Sequence, residues 1–225
     1  MSDRPRLLDL FCGAGGCGTG YHRAGFDVVG VDIRPQPRYP FEFHQGDALE
    51  YLREHGREFD AIHASPPCQH ASALRHMHRG KDYPALIEPT RSLILATGRP
   101  YVIENVVGAK LHTPIMLCGS MFGLGAVLSD GEFHQLRRHR LFESNILILQ
   151  QQCNHIGIPV GVYGNGGGNI DRVKQKGVNG LTGKAHERRE AMGIHWMNRY
   201  ELSQAIPPAY TEYIGGQLRR AIGAD

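Results

Sequence analysis

The feature that most constrains the fold is the passage from the apolar run Arg6-Leu7-Leu8-Asp9-Leu10-Phe11 into Cys12-Gly13-Ala14-Gly15-Gly16-Cys17-Gly18-Thr19-Gly20. An apolar run of that length, closed by glycines, suits a central parallel strand buried on both faces. Four glycines within positions 13–18 make the turn tight and its backbone bare, so its N–H groups can approach a nucleotide-like ligand. A helix-like segment, Tyr21 to Gly25, follows, and a second apolar run, Val28-Val29-Gly30-Val31, ends at Asp32. An acid at the tip of the second strand, about 20 residues past a glycine loop, suits the hydroxyls of an adenosine ribose. A glycine loop alone is also compatible with a plain structural turn. The loop and the acid together point to a nucleotide-binding α/β chain.

Pro35, Pro37 and Pro40 keep the next stretch irregular, and Phe41-Glu42-Phe43-His44 reads as a third strand. It ends at Gly46-Asp47-Ala48, where Asp47 can N-cap a helix over Ala48 to Gly56 or accept from an adenine amino group. The run Phe59-Asp60-Ala61-Ile62-His63-Ala64 must stop at Ser65-Pro66-Pro67-Cys68-Gln69, because neither proline can donate to a ladder. Cys68 is thereby presented on a stiff turn. A cysteine in such a turn is either a small buried side chain or, with exposure and an electropositive setting, a nucleophilic thiolate.

His70, Arg75, His76, His78, Arg79 and Lys81 follow with little apolar periodicity, as a basic lid over an anionic substrate or as a solvated loop. His63, Cys68, His70, His76 and His78 match no closed four-ligand zinc spacing, so no metal is expected. A helix is expected over Pro84 to Ala96. The strand Tyr101-Val102-Ile103 then ends in Glu104-Asn105-Val106, where a partly desolvated carboxylate would be suited to hold or share a proton. Leu136-Arg137-Arg138-His139-Arg140-Leu141-Phe142 precedes the apolar run Ile146 to Leu149. In a strand Arg138 and Arg140 would share a face and address one substrate.

The 225 residues, 41% hydrophobic and 21% charged, can bury one sizeable core. No apolar run reaches the ~18 residues of a membrane span, and Met1 to Arg6 is polar and charged, so the expectation is a cytoplasmic protein without a membrane partner. Cys12, Cys17, Cys68, Cys118 and Cys153 are odd in number and scattered, unlike a disulfide framework. The formal charge of +3 is small, but between Asp171 and Arg189 six Lys/Arg face two acids, a local +4 beside a glycine-rich run. Such a cluster is a solvated face or a contact for a phosphate backbone.

Asp9-Leu10-Phe11-Cys12-Gly13-Ala14-Gly15-Gly16, Asp32, Gly46-Asp47, Pro66-Pro67-Cys68-Gln69, Glu104-Asn105-Val106 and Arg138-His139-Arg140 occur in the order of the motifs of C5-cytosine DNA methyltransferases. The chain resembles that family over nearly its whole length. The resemblance implies a doubly wound, mostly parallel α/β sheet of the S-adenosylmethionine-dependent methyltransferase type with a reduced target-recognition region. It also implies S-adenosylmethionine as cofactor, with S-adenosylhomocysteine as product, held by Phe11, Gly13, Ala14, Gly15, Gly16, Asp32, Ile33, Asp47, Ala48, Pro67, Gln204, Ala205 and Ile206. Cys68, Glu104, Arg138 and Arg140 become the catalytic residues acting on a cytosine flipped out of double-stranded DNA. Gln69, Arg75, Lys174, Lys176, Lys184 and Arg188 become DNA contacts.

Two departures stand out. Leu136 occupies the place of a glutamine in the family's arginine motif, with Gln135 one position earlier, and Gln204-Ala205-Ile206 stands where the family has Asn-Ser-Val. The expected organisation is a catalytic core over 1–149, a short target-recognition region over 150–185 and a C-terminal segment over 186–225 that returns to the core. So short a reader implies a short recognition sequence or help from a partner subunit, with a monomer otherwise, as in a compact phage or prophage modification enzyme. An RNA-directed C5-methyltransferase and a DNA-binding homologue without activity are the alternatives.

Overall fold

A computed structural model describes residues 4–67, 85–163 and 181–224. Cys68, Gln69, Arg75, the other basic residues of the histidine-rich stretch, Lys174 and Lys176 lie outside the described residues. The main sheet is built from β1 (Arg6–Leu10), β2 (Asp27–Asp32), β3 (Glu42–Gln45), β4 (Ala61–Ala64), β5 (Tyr101–Asn105), β6 (Ile115–Leu117) and β9 (Arg140–Ser144). Its order is β3-β2-β1-β4-β5-β9-β6. The first five strands are parallel, while β9 runs antiparallel to both β5 and β6.

Alternation along each strand divides the core into two layers. Leu7, Val28, Ala61 and Val102 pack beneath α1 (Gly16–Arg23) and α6 (Pro208–Ala221), with Tyr21, Tyr210, Ile214 and Leu218 filling the space. Their sequence neighbours Leu8, Val29, Ile62 and Ile103 point the other way, against Ala48 and Leu52 of α2 (Ala48–His55) and Ile94 of α3 (Ile87–Thr97). The strand register keeps these sets level: Leu7 pairs with Val28 and Ala61, Leu8 with Val29 and Ile62. Strands covered on both faces read as continuous apolar runs, which is why the central strands are legible in the sequence.

α1 begins at Gly16, earlier than the expected Tyr21. Its glycines are poor helix formers, but they are needed for close packing: a Cβ at Gly20 would lie 2.0 Å from Thr211 Oγ1 and 2.2 Å from the Pro208 carbonyl. Thr211 Oγ1 donates to the Cys17 carbonyl across the same contact (2.8 Å).

A third apolar cluster lies beyond the sheet. It joins β7 (Gly125–Val127) and β8 (Phe133–Gln135), the short pair β10 (Val160–Gly161) and β11 (Leu181–Thr182), α4 (Ala185–Met192) and α5 (Arg199–Gln204) through Ala126, Leu136, Val160, Leu181, Met192 and Leu202. All three expected segments, 1–149, 150–185 and 186–225, contribute to it. The apolar run Ile146 to Leu149 is irregular, with Leu147 83% exposed and Ile148 buried. β9 is held by a buried fork: Arg91 Nε and Nη2 donate to the two oxygens of Glu143, each at 2.7 Å.

Candidate active site

Strand order reverses direction on either side of β1, and in open α/β sheets ligands bind at the carboxyl ends of the strands at such a point. There the chain leaves β1 through Phe11, whose φ of 58° is in the left-handed region, and enters the loop through Gly13 (φ 50°) and Gly15 (φ 82°). A Cβ at Gly15 would sit 2.7 Å from Pro40 Cδ, so both conformation and space select glycine. Asp32 closes the loop against β2: its two carboxylate oxygens accept from Gly13 N (3.0 Å) and Arg34 N (2.9 Å). Asp47 is a helix cap, accepting from Leu49 N (2.8 Å) and Glu50 N (3.0 Å).

These elements surround a cavity of about 500 Å³. Of the residues expected to hold a cofactor, Phe11, Gly13, Ala14, Gly16, Asp32, Ile33, Asp47, Ala48, Pro67, Gln204, Ala205 and Ile206 line it, whereas Gly15 shapes the loop from behind. Glu104 and Arg140 line the same cavity. Asp9, Ser65, Met197, Tyr200 and Glu201 line it too, although no local sequence pattern assigns their side chains to a site. Behind the cavity Trp196 Nε1 donates to the Ala14 carbonyl (2.9 Å) and so ties the glycine loop to the residues after α4.

The cavity wall holds five carboxyl residues, Asp9, Asp32, Asp47, Glu104 and Glu201, against Arg34 and Arg140. Asp9 is fully buried, and burial pushes its carboxyl up to about 7 despite the Tyr39 hydroxyl, which donates to Oδ2 (3.2 Å). Among the described residues its Oδ1 has no hydrogen-bond partner. An orphaned buried carboxylate oxygen in an acid-lined cavity fits a cationic occupant.

Glu104, at the end of β5, is buried, and Arg140 Nε lies 2.9 Å from its Oε1. The contact has ion-pair distance without hydrogen-bond alignment, since among the described residues Oε1 has no aligned donor. Burial raises the Glu104 pKa, while Arg140, Arg138 and a hydrogen bond from Ser65 act to lower it. Ser65 belongs to a chain of polar groups leading inward: its Oγ is 2.9 Å from His63 Nε2, and His63 Nδ1 is 3.0 Å from the Tyr21 hydroxyl. Burial pulls His63 down to about 3, so its ring is neutral. Asn105 Nδ2 donates to the Pro66 carbonyl (2.9 Å), fixing the turn that leads to Cys68.

Arg138 does not share a face with Arg140, because β9 begins at Arg140 and Arg138 lies in the preceding loop. It does not line the cavity. Its guanidinium is buried and donates to the carbonyls of Val162 (3.1 Å) and Ser203 (2.7 Å), and its own carbonyl accepts from Tyr210 (2.6 Å). Arg138 therefore clamps the third cluster to α5 and α6. Gln135 is likewise engaged elsewhere, with Asn154 and Ile156, while Leu136 is buried in the third cluster. Lys184 is exposed at the N-cap of α4, and Arg188 is half-buried one turn later.

A mostly parallel seven-stranded sheet with helices on both faces and a ligand-sized cavity at its switch point defines the methyltransferase class of α/β fold. Solved structures agree. A prophage-encoded protein of E. coli, described as a DNA modification methyltransferase, matches with TM-score 0.61 and 17% identity over 97% of this chain and 99% of its own. The S. pombe Dnmt2 methyltransferase matches with TM-score 0.57 and 13% identity over the same shares. Among proteins of known sequence the chain is similar to type II DNA methyltransferases. It is 30% identical to M.HgiDI of Herpetosiphon aurantiacus over 132 residues, 52% of this chain and 42% of that protein. It is also 30% identical to M.AquIA of Picosynechococcus sp. over 122 residues, 46% of this chain and 49% of that protein. These alignments span less than half the length of either relative. No family model matches the chain.

Proposed function

We propose that the protein methylates C5 of cytosine in double-stranded DNA, using S-adenosylmethionine. The single observation that carries this reading is one continuous cavity joining the glycine loop and Asp32 to Glu104 and Arg140. Asp32 would take the ribose hydroxyls, Asp47 and Ile33 the adenine end, and the acid-rich wall with the unpaired Asp9 oxygen suits the positive charge of the cofactor. When bound, S-adenosylmethionine supplies an electrophilic methyl group and leaves as S-adenosylhomocysteine.

Cytosine C5 is too weak a nucleophile unaided, and thiolate addition at C6 turns the ring into a nucleophilic enamine. In this reading Cys68 forms the bond to C6 while N3 takes a proton from Glu104, whose raised pKa keeps the acid form available. Arg140 orients O2 of the base and holds charge that develops on the ring. Loss of the C5 proton to solvent then lets the Cys68 thiolate leave and restores the C5–C6 double bond, while N3 returns its proton to Glu104. Arg138 acts as a positioning residue through the loop that carries Arg140. Residues 150–185, which include Lys174, Lys176 and Lys184, form the DNA-contacting segment, joined by Gln69, Arg75 and Arg188. Contacts of this type position a duplex without reading it.

The test is incubation with labelled S-adenosylmethionine and either duplex DNA or total transfer RNA, followed by mass spectrometry of nucleosides. The expected result is 5-methylcytosine in deoxynucleosides. Label confined to RNA would move the substrate class, and label on an exocyclic amine would remove the Cys68 mechanism.

A further inference from the structure

Four metal-binding side chains converge at a place that the cavity does not use. Cys118 follows β6 and precedes the 3₁₀ turn Gly119–Phe122, His139 immediately precedes β9, and Cys153 and His155 lie in the connection from β9 to β10. One donor atom from each, two sulfurs and two ring nitrogens, lies within 4.8 Å of all the others. Cys118 Sγ is 3.3 Å from His155 Nε2, and Cys153 Sγ is 3.6 Å from His139 Nε2. None of the four lines the active-site cavity.

We propose that these residues form a Cys2His2 site for a structural zinc ion. Zinc bonds of about 2.3 Å to sulfur and about 2.0–2.1 Å to nitrogen, arranged tetrahedrally, place sulfur roughly 3.5 Å from nitrogen. The two sulfur–nitrogen separations, 3.3 and 3.6 Å, bracket that value. Two thiolates and two neutral imidazoles cancel the charge of a divalent ion and leave no open position, the mark of a structural site, and a mixed sulfur and nitrogen tetrahedron favours zinc over harder ions. On binding, the two thiols release their protons to solvent and each sulfur donates an electron pair to the metal.

The location says what such an ion does. Residues 145–159 form a connection with no helix or strand, longer than compact domains ordinarily carry without support. Ile148 anchors its first half in the core, but from Leu149 to Gly157 every residue except the half-buried Cys153 is exposed, Ile156 at 65%, so apolar burial contributes little to holding the part that carries Cys153 and His155. The metal staples this connection to the end of β6 and to the Arg138-His139-Arg140 segment. It thereby fixes the start of the 150–185 region and the residue before Arg140. The site itself stands whether or not the proposed reaction is correct.

The experiment uses the full chain with any polyhistidine tag removed, purified from zinc-supplemented medium and analysed by plasma mass spectrometry. About one zinc per chain is expected. Cobalt(II) added to chelator-treated protein should give the ligand-field and thiolate charge-transfer absorption of a tetrahedral site, abolished by zinc. Cys153→Ser, at a partly exposed position, should lower zinc affinity at least tenfold and halve the charge-transfer intensity. The proposal is overturned by protein that carries no zinc and gives no tetrahedral cobalt spectrum. Full zinc occupancy and an unchanged cobalt spectrum in Cys153→Ser, or a Cys118–Cys153 disulfide in the freshly purified protein, would overturn it equally.

Discussion

Arg140 Nε stands 2.9 Å from Glu104 Oε1, with Glu104 at the end of a parallel strand and Arg140 at the start of the antiparallel strand beside it. The pair couples two motifs that are 36 positions apart in the chain, and it sets the proton affinity of the carboxyl. Burial holds the Glu104 pKa above its usual 4.5, with Arg140 the strongest influence in the other direction. If the acid form acts, kcat/KM falls as pH rises through this raised value. Arg140→Ala removes the opposing charge, so the falling limb should move to higher pH. Arg140→Lys keeps the charge and should leave the limb in place while still losing activity. Glu104→Gln should lower kcat by about 10²–10³. A limb that moves to lower pH in Arg140→Ala would separate Glu104 from the reaction.

Asp32→Ala removes the acceptor for Gly13 N and Arg34 N as well as the proposed ribose partner. S-adenosylmethionine binding should weaken by about 1–3 kcal/mol, the usual cost of unpaired buried polar groups. Calorimetry that finds unchanged affinity would place the cofactor elsewhere.

Gly20→Ala tests the α1 to α6 contact. Its Cβ would meet Thr211 Oγ1 and backbone on α6 at distances no relaxed structure allows, so about 1–3 kcal/mol of stability should be lost in urea titrations. A neutral result would mean that the helices separate without cost.

The central architecture is legible because the strands covered on both faces are mostly apolar runs, interrupted by Asp9, His63 and Glu104, and because Asp47 and Phe11 to Gly16 carry their turn chemistry locally. Other features depend on tertiary partners. α1 starts in glycines packed against distant segments, Gly16 against Ala205 and Ile206, Gly18 against Tyr39 and Gly20 against α6, and β6 to β8 are three residues each, too short to show a period. The shared face expected of Arg138 and Arg140 presupposed a strand through both, whereas Arg138 is taken up by carbonyls of residues 162 and 203. Cys118, His139, Cys153 and His155 come from three separated segments, so no local spacing announces them.

Two buried groups set opposing pH dependences. His63 is lowered to about 3 from 6.5, so the unfolded chain binds the extra proton and stability is lost as pH falls from 6.5 toward 3. Asp9 is raised to about 7 from 3.8, so its contribution is complete below 3.8 and is lost as pH rises toward 7. Between about 4 and 6.5 the two slopes oppose, each up to about 1.4 kcal/mol per pH unit. Asp9→Asn should therefore show a steeper loss of stability on acidification from pH 6.5 to 4.5 than the parent protein. Equal slopes in urea titrations across that range would contradict the assignment.

The most direct test of the central claim is trapping of the covalent intermediate. Duplex DNA made with 5-fluorocytosine in place of cytosine cannot lose a C5 proton after methylation, so the thiolate cannot leave. Incubation with S-adenosylmethionine should give a denaturation-resistant protein–DNA adduct whose mass includes one methyl group, with peptide mapping to Cys68. Cys68→Ala should give no adduct and no 5-methylcytosine while still binding cofactor. Methylation of ordinary duplex DNA without an adduct on the fluorinated duplex, or an adduct at any other residue, would contradict the account.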